Sequence, residues 1–164
     1  MSEVLNKAKA ILKFVIPRPV LRWYRSRQRE KMQIEFAALS AREAFSRIYR
    51  ENLWGGKSGD LCSGSGSSDD HANDYANVVR DFLVECGARS IVDLGCGDFT
   101  VGKRLLIEGV RYTGVDIVPA VIERNTDNYA SPLVSFSCLD IIEDELPAAE
   151  VCLIRQVLLG SRRR

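Results

Sequence analysis

Residues 91–98 read Ile-Val-Asp-Leu-Gly-Cys-Gly-Asp, and this octet constrains the chain more than any other stretch. The apolar run over residues 90–94 has the length and content of a short buried strand. Gly95 and Gly97 come next, one residue apart, so the backbone can turn sharply with no Cβ in the way of a ligand. A helical pattern is expected to resume near Phe99. Strand, glycine turn and helix in that order place a nucleotide-like ligand at the carboxyl end of a parallel sheet.

Residues 111–115 read as a second strand, closed by Asp116. That acid lies roughly 20 residues beyond the glycines, the spacing at which a carboxylate accepts hydrogen bonds from a ribose diol. A dinucleotide motif starting at Gly95 requires a further glycine where Thr100 stands. The missing glycine speaks against a nicotinamide-dependent oxidoreductase, because its role is close packing under a pyrophosphate. Asp93 and Asp98 put negative charge around the turn, which suits a cationic ligand better than an anionic one. S-adenosylmethionine combines a ribose, an adenine and a sulfonium cation, and carries no phosphate.

Asp93-Leu94-Gly95-Cys96-Gly97 resembles motif I of class I S-adenosylmethionine-dependent methyltransferases. Gly114-Val115-Asp116 resembles their acidic second-strand tip, and Cys138-Leu139-Asp140 the third-strand tip. Residues 151–158 resemble the fourth strand and the segment after it. The resemblance covers residues 88–158, with Phe99 in place of the third glycine of the fuller motif and Glu150 where an aspartate often stands. It implies an α/β, Rossmann-like fold with an incomplete, mostly parallel sheet of about four strands in the order 3-2-1-4, preceded by helices. It also implies S-adenosylmethionine as cofactor, bound by Asp93, Gly95, Cys96, Gly97, Asp116, Ile117, Asp140 and Ile141. In that scheme Asp93 favours the cationic methionine end and Asp116 holds the ribose, while Asp140 and Ile141 meet the adenine. Read as residues alone, Asp93 and Asp98 equally cap a helix, and Asp140 equally ends a strand in a turn. Arg155 and Gln156 are the acceptor-side candidates. No catalytic base is assigned, no metal is implied, and no motif names the methyl acceptor.

The family's pattern continues through a helix and three further strands. Here Leu158 is followed by Leu159-Gly160-Ser161-Arg162-Arg163-Arg164, which reads as a truncation or a reading-frame change. A fourth strand without its neighbour is an apolar edge that invites self-association. The expectation is a methyltransferase, inactive alone because truncated; the alternative is a non-catalytic relic that binds cofactor.

The net charge of +1 hides an asymmetry: residues 1–31 hold nine lysines and arginines against Glu3 and Glu30. Val4, Leu5, Ala8, Ile11, Leu12, Val15 and Ile16 recur at helical spacing, and Pro17 and Pro19 are expected to end that helix. A basic stretch with Trp23 and Tyr24 comes after it. Residues 1–31 are compatible with a solvated helix docked on the domain, with an anionic membrane surface, or with nucleic acid. No apolar run approaches the ~18 residues of a membrane span, and Lys13 interrupts anything like a signal peptide. Five cysteines without a C-x-x-C pair, and a single histidine, argue against structural zinc and suit reduced thiols in the cytoplasm, with peripheral membrane attachment as the alternative.

Four segments are expected overall: a basic stretch 1–31, a helical region 32–87, the partial methyltransferase domain 88–158, and a basic tail 159–164. A helix over 32–52 carries Ile34, Ala38, Ala41, Phe45 and Ile48 on one stripe. The Gly/Ser-rich residues 54–68 read as a linker or as an ordered loop over the ligand site. Gly56-Lys57-Ser58 is not a phosphate-binding loop, because its leading glycine falls at Glu51. Residues 73–86 form a helix with Tyr75, Val78, Val79, Phe82, Leu83 and Cys86 on one face and Gly87 as C-terminal cap. Pro119 opens a helix that packs through Val121 and Ile122, and residues 133–139 form the third strand.

Overall fold

Short apolar runs separated by turn residues build four strands: β1 (Ser90–Leu94), β2 (Arg111–Asp116), β3 (Val134–Cys138) and β4 (Val151–Ile154). They come from a computed structural model that describes residues 17–55, 61–64 and 69–155. Every strand pair is parallel and the order is β3-β2-β1-β4, as the sequence leads one to expect. β1 is central and buried along its whole length, which explains why it reads as a continuous apolar run and not as an alternation. Glu150 fixes where β4 begins: its carboxylate accepts the Arg89 N–H at 2.5 Å, and its own N–H donates to Ser90 Oγ at 3.1 Å.

One sheet face packs Ile91, Tyr112, Val134 and Leu153 against Ala76, Val79 and Leu83 of a helix, α3 (Asp69–Glu85). The other face, with Val92, Leu94 and Val115, is covered by Leu139, Ile141, Leu146 and Ala149 from the β3–β4 connection. α3 ends at Gly87, whose φ of +65° lets the Ala88 N–H reach back to the Leu83 carbonyl at 3.0 Å. The buried stripe of α3 differs from the expected one. It runs through Ala72, Ala76, Val79 and Leu83, whereas Val78 is 70% exposed, Phe82 is 52% exposed, and Cys86 is exposed too. Alanines weigh little in a hydrophobic pattern, yet their small side chains let the helix lie close to the sheet and set its rotation.

The chain divides into residues 1–40 and 41–164. In the first unit lies α1 (Arg18–Ala37). Pro17 and Pro19 open it: Pro17 is the N-cap and a proline occupies the first turn, where no N–H is needed. The expected helix over 32–52 is two helices, because α1 stops at Ala37 and α2 (Ala41–Arg50) starts afresh. Ser40-Ala41-Arg42-Glu43 has the capping-box spacing that favours a new start there. Ile34 is correspondingly exposed, not part of a buried stripe. In the second unit, α4 (Pro119–Tyr129) succeeds β2 and buries Val121, Ile122 and Asn125. The expected helix over 4–16, most of the Gly/Ser-rich loop, Gln156 and the tail 159–164 lie outside the described residues. Among the described residues, no helix is long and apolar enough to cross a membrane.

Leu83 and Phe82 test the corrected stripe. Leu83→Ala should destabilise by about 2–5 kcal/mol in urea unfolding. Phe82→Ala should cost under about 1 kcal/mol. Equal losses would restore the stripe expected from the sequence.

Candidate functional site

Parallel pairing sets Asp93 opposite Gly114 and carries Asp116 to the same end of the sheet. Between them the chain turns through Gly95 (φ +80°) and Gly97 (φ +54°). The Gly95 and Cys96 N–H groups both donate to the Val115 carbonyl, at 2.7 and 3.0 Å, so the turn folds over the tip of β2. Asp116 then locks it. One carboxylate oxygen accepts the Gly97 N–H and the other the Val118 N–H, each at 3.0 Å. Asn125, fully buried on α4, donates from Nδ2 to the Gly97 carbonyl at 2.7 Å.

No α-helix succeeds the turn. Residues 97–101 are turns and bends, and Gly102–Arg104 is a single 3-10 turn. Phe99 explains the difference from expectation. It stands where the family's third glycine would, and it keeps a glycine-like backbone, with φ +62°. A left-handed conformation costs a non-glycine residue about 1–2 kcal/mol. Burying a phenylalanine contributes about 1.5–3 kcal/mol, and Phe99 is only 1% exposed. Its ring also packs against Tyr112, Tyr129 and Phe136, with centroids 5.0–5.2 Å away. Gly102 makes room for this cluster, since a Cβ there would lie 2.5 Å from the Phe99 ring. Burial outweighs strain, and a left-handed residue at 99 is incompatible with a right-handed helix running through it.

Three acids meet at the turn. Asp93 is buried and accepts the Tyr112 hydroxyl at 2.6 Å. Burial pushes its carboxyl up from the ordinary range; the Tyr112 hydrogen bond and the Arg155 guanidinium pull it down, and Asp116 pushes it up again. Burial likewise raises Asp116, against the N–H groups of Val118, Gly97 and Ile117, with Asp98 adding to the rise. Asp98 is engaged by the backbone: its Oδ1 accepts the Thr100 N–H at 3.0 Å and its Oδ2 the Ser63 N–H at 2.9 Å.

The remaining site candidates are scattered in role. The Cys96 Sγ faces Gly114, where a Cβ would come within 3.0 Å of it, and burial pushes its thiol well up, so it fills the turn and is not a reactive thiolate. Ile117 packs beside Tyr49, Val118 and Val121. Asp140 closes a turn after β3, its Oδ1 accepting the Ile142 N–H at 2.9 Å, while Ile141 packs on the sheet face with Val92 and Leu94. Arg155 leaves β4 with its guanidinium carbon 5.2 Å from the Tyr75 ring centroid.

Three neighbours of the turn escaped sequence reasoning: Tyr49, Ser63 and Arg124. The Tyr49 hydroxyl and Ser63 Oγ are 3.0 Å apart, and Arg124 donates to the carbonyls of Leu61 and Asp98 at 3.2 and 3.0 Å. Residues 61–64 lie against the turn through Ser63 and Leu61. A polar Asn125 in phase with Val121 and Ile122 was the one legible sign of a buried contact.

Burial of a charge that relaxes on protonation gives a signed prediction. With its pKa raised in the folded state, Asp93 withdraws stability as pH rises from about 4 through the raised value. Asp93→Asn still accepts the Tyr112 hydroxyl and does not titrate. Its melting temperature relative to wild type should therefore improve between pH 4 and pH 7. A difference independent of pH would show that Asp93 carries no burial penalty.

No protein-family model matches the chain. It is 40% identical over 75 residues to a malonyl-[acyl-carrier protein] O-methyltransferase of Acetivibrio thermocellus, covering 43% of this chain and 26% of that protein. It is 32% identical over 79 residues to an uncharacterized methyltransferase of Mycobacterium bovis, covering 48% of this chain and 40% of that one. The chain thus spans well under half the length of these curated relatives. Among solved structures it is similar to magnesium protoporphyrin IX methyltransferase of Synechocystis PCC 6803, crystallised with S-adenosylhomocysteine. The TM-score is 0.52 at 17% identity, over 73% of this chain and 58% of that one. With its β3-β2-β1-β4 parallel order, the chain shares the Rossmann-like fold of that methyltransferase.

Proposed function

We propose that the chain binds S-adenosylmethionine at the glycine turn and belongs to a protein that transfers its methyl group. The observation that carries this reading is the convergence of Asp93, Asp98 and Asp116 on a turn whose backbone N–H groups are already bonded within the protein. Both Asp93 and Asp116 are held above their ordinary range, first of all by burial, with a neighbouring acid adding to it, so a cation beside them relieves an unfavourable charge distribution. The residues present fit the cofactor's chemistry in this respect. Each Asp116 oxygen accepts one backbone N–H and retains a lone pair for a ribose hydroxyl. Asp93 favours the cationic methionine end, the backbone at Gly95–Gly97 gives close approach, and Asp140 and Ile141 border the adenine side. When bound, S-adenosylmethionine supplies a sulfonium-activated methyl group. The protein's work is then to align donor and acceptor and to exclude water. Similarity to proteins named methyltransferases supports the same reading.

Calorimetric titration with S-adenosylhomocysteine tests it. Wild type should bind saturably. Hydrogen bonds to a charged group contribute about 1.5–3 kcal/mol, so Asp116→Ala should weaken binding about tenfold or more. Binding of NAD in place of S-adenosylhomocysteine, or none by a folded chain, would overturn the proposal. Binding without methyl transfer to any acceptor would mark the chain as the non-catalytic binder.

A further inference from the structure

We infer that Ser63 and Tyr49 form a latch over the candidate ligand site, and that both are positioning residues of that site which the motifs do not reveal. This rests on the cofactor reading proposed above and adds to it a gated entry. Ser63 and Asp98 are bonded reciprocally: the Ser63 N–H donates to Asp98 Oδ2 at 2.9 Å, and the Asp98 N–H donates to Ser63 Oγ at 2.7 Å. The same Oγ meets the Tyr49 hydroxyl at 3.0 Å. Both hydroxyls press on Gly97. A Cβ built there would overlap Ser63 Oγ and lie 3.2 Å from the Tyr49 oxygen. The space that glycine leaves free at the turn is therefore filled by the protein's own hydroxyls.

Asp116, the ribose candidate, is buried beside it. The residue is 8% exposed, and its charge is close enough to raise the Tyr49 hydroxyl, after burial itself. A ligand reaches the open side of Gly97 only if Ser63 and Tyr49 move. Their restraint divides into two parts. Phe45, Tyr49 and Leu61 pack on Val118 and Val121, an apolar contact that returns the segment to its place. The polar part is a few hydrogen bonds, among them the Arg124 donation to the Leu61 carbonyl, each of modest net strength and exchangeable with a ligand's hydroxyls. Once the site is filled, the same hydroxyls are available to the ligand as donors and acceptors.

Trp54 reports on the latch. Its ring packs edge-on to Tyr49, with centroids 5.3 Å apart, and against Phe45 at 6.0 Å. The chain has two tryptophans, so a Trp23→Phe background leaves Trp54 as the single emitter. In that background, acrylamide quenching without ligand should rise in Ser63→Ala and in Tyr49→Phe, which keeps the ring packing. Stopped-flow association of S-adenosylhomocysteine should level off at high concentration in the parent, because opening limits entry. The plateau should rise about tenfold in Ser63→Ala. Unchanged quenching in both variants, or association that stays linear and equal in parent and Ser63→Ala, would overturn the latch while leaving the cofactor reading intact. Absence of binding in three proteins folded by circular dichroism would overturn the cofactor reading, and with it the gate.

Discussion

A single buried carboxylate joins the two ends of the site. Asp116 accepts one N–H from the glycine turn and one from the start of α4, so strand β2, the turn after β1 and the helix after β2 share one anchor. Without it the Gly97 and Val118 N–H groups would be buried donors lacking partners, which is more costly than the bond is stabilising. The geometry of the turn, the placement of Asn125 on the Gly97 carbonyl and the seat of α4 all depend on that pair of bonds. The carboxylate, held above its ordinary range by burial, satisfies two backbone groups at once.

The aromatic cluster does the corresponding work beneath the turn. Phe99 sits in a backbone conformation that suits glycine, and its ring joins Tyr112, Tyr129 and Phe136 into one packed group. Gly102 and Gly114 border that group, and a Cβ at Gly114 would lie 2.8 Å from Phe136. Side-chain volume is thus shifted from the glycine positions to the rings between them. The Tyr112 hydroxyl also links this apolar group to Asp93, so the core and the acidic end of the sheet are one structure.

The strands at the motifs and the acid at the tip of β2 were legible because they depend on local runs and fixed spacings, whereas the sheet order came from the family resemblance. Gly95 and Gly97 come directly after an apolar strand, and parallel pairing then brings Asp116 alongside. The rotation of α3 was not legible, because Ala72 and Ala76 carry little hydrophobic signal while Val78 and Phe82 carry much. Nor were Ser63 and Tyr49, whose contacts with the turn span 35 and 48 positions and have no periodic pattern. The helix expected near Phe99 does not form, because that residue is left-handed and its buried ring compensates for the strain.

The lack of an α-helix after β1 has an electrostatic consequence. A helix beginning at such a turn would present the positive end of its summed peptide dipoles, about half an elementary charge, together with free N–H groups that attract phosphate. A 3-10 turn of three residues at Gly102–Arg104 sums almost no dipole, and it begins beyond the glycine turn. The N–H groups at the turn are already spent, on Val115, Asp116 and Ser63. The helix start at this end is that of α4, whose N-cap N–H is taken up by Asp116. Three carboxylates with no helix start directly after β1 make this turn a poorer seat for a phosphate than a turn that opens a helix.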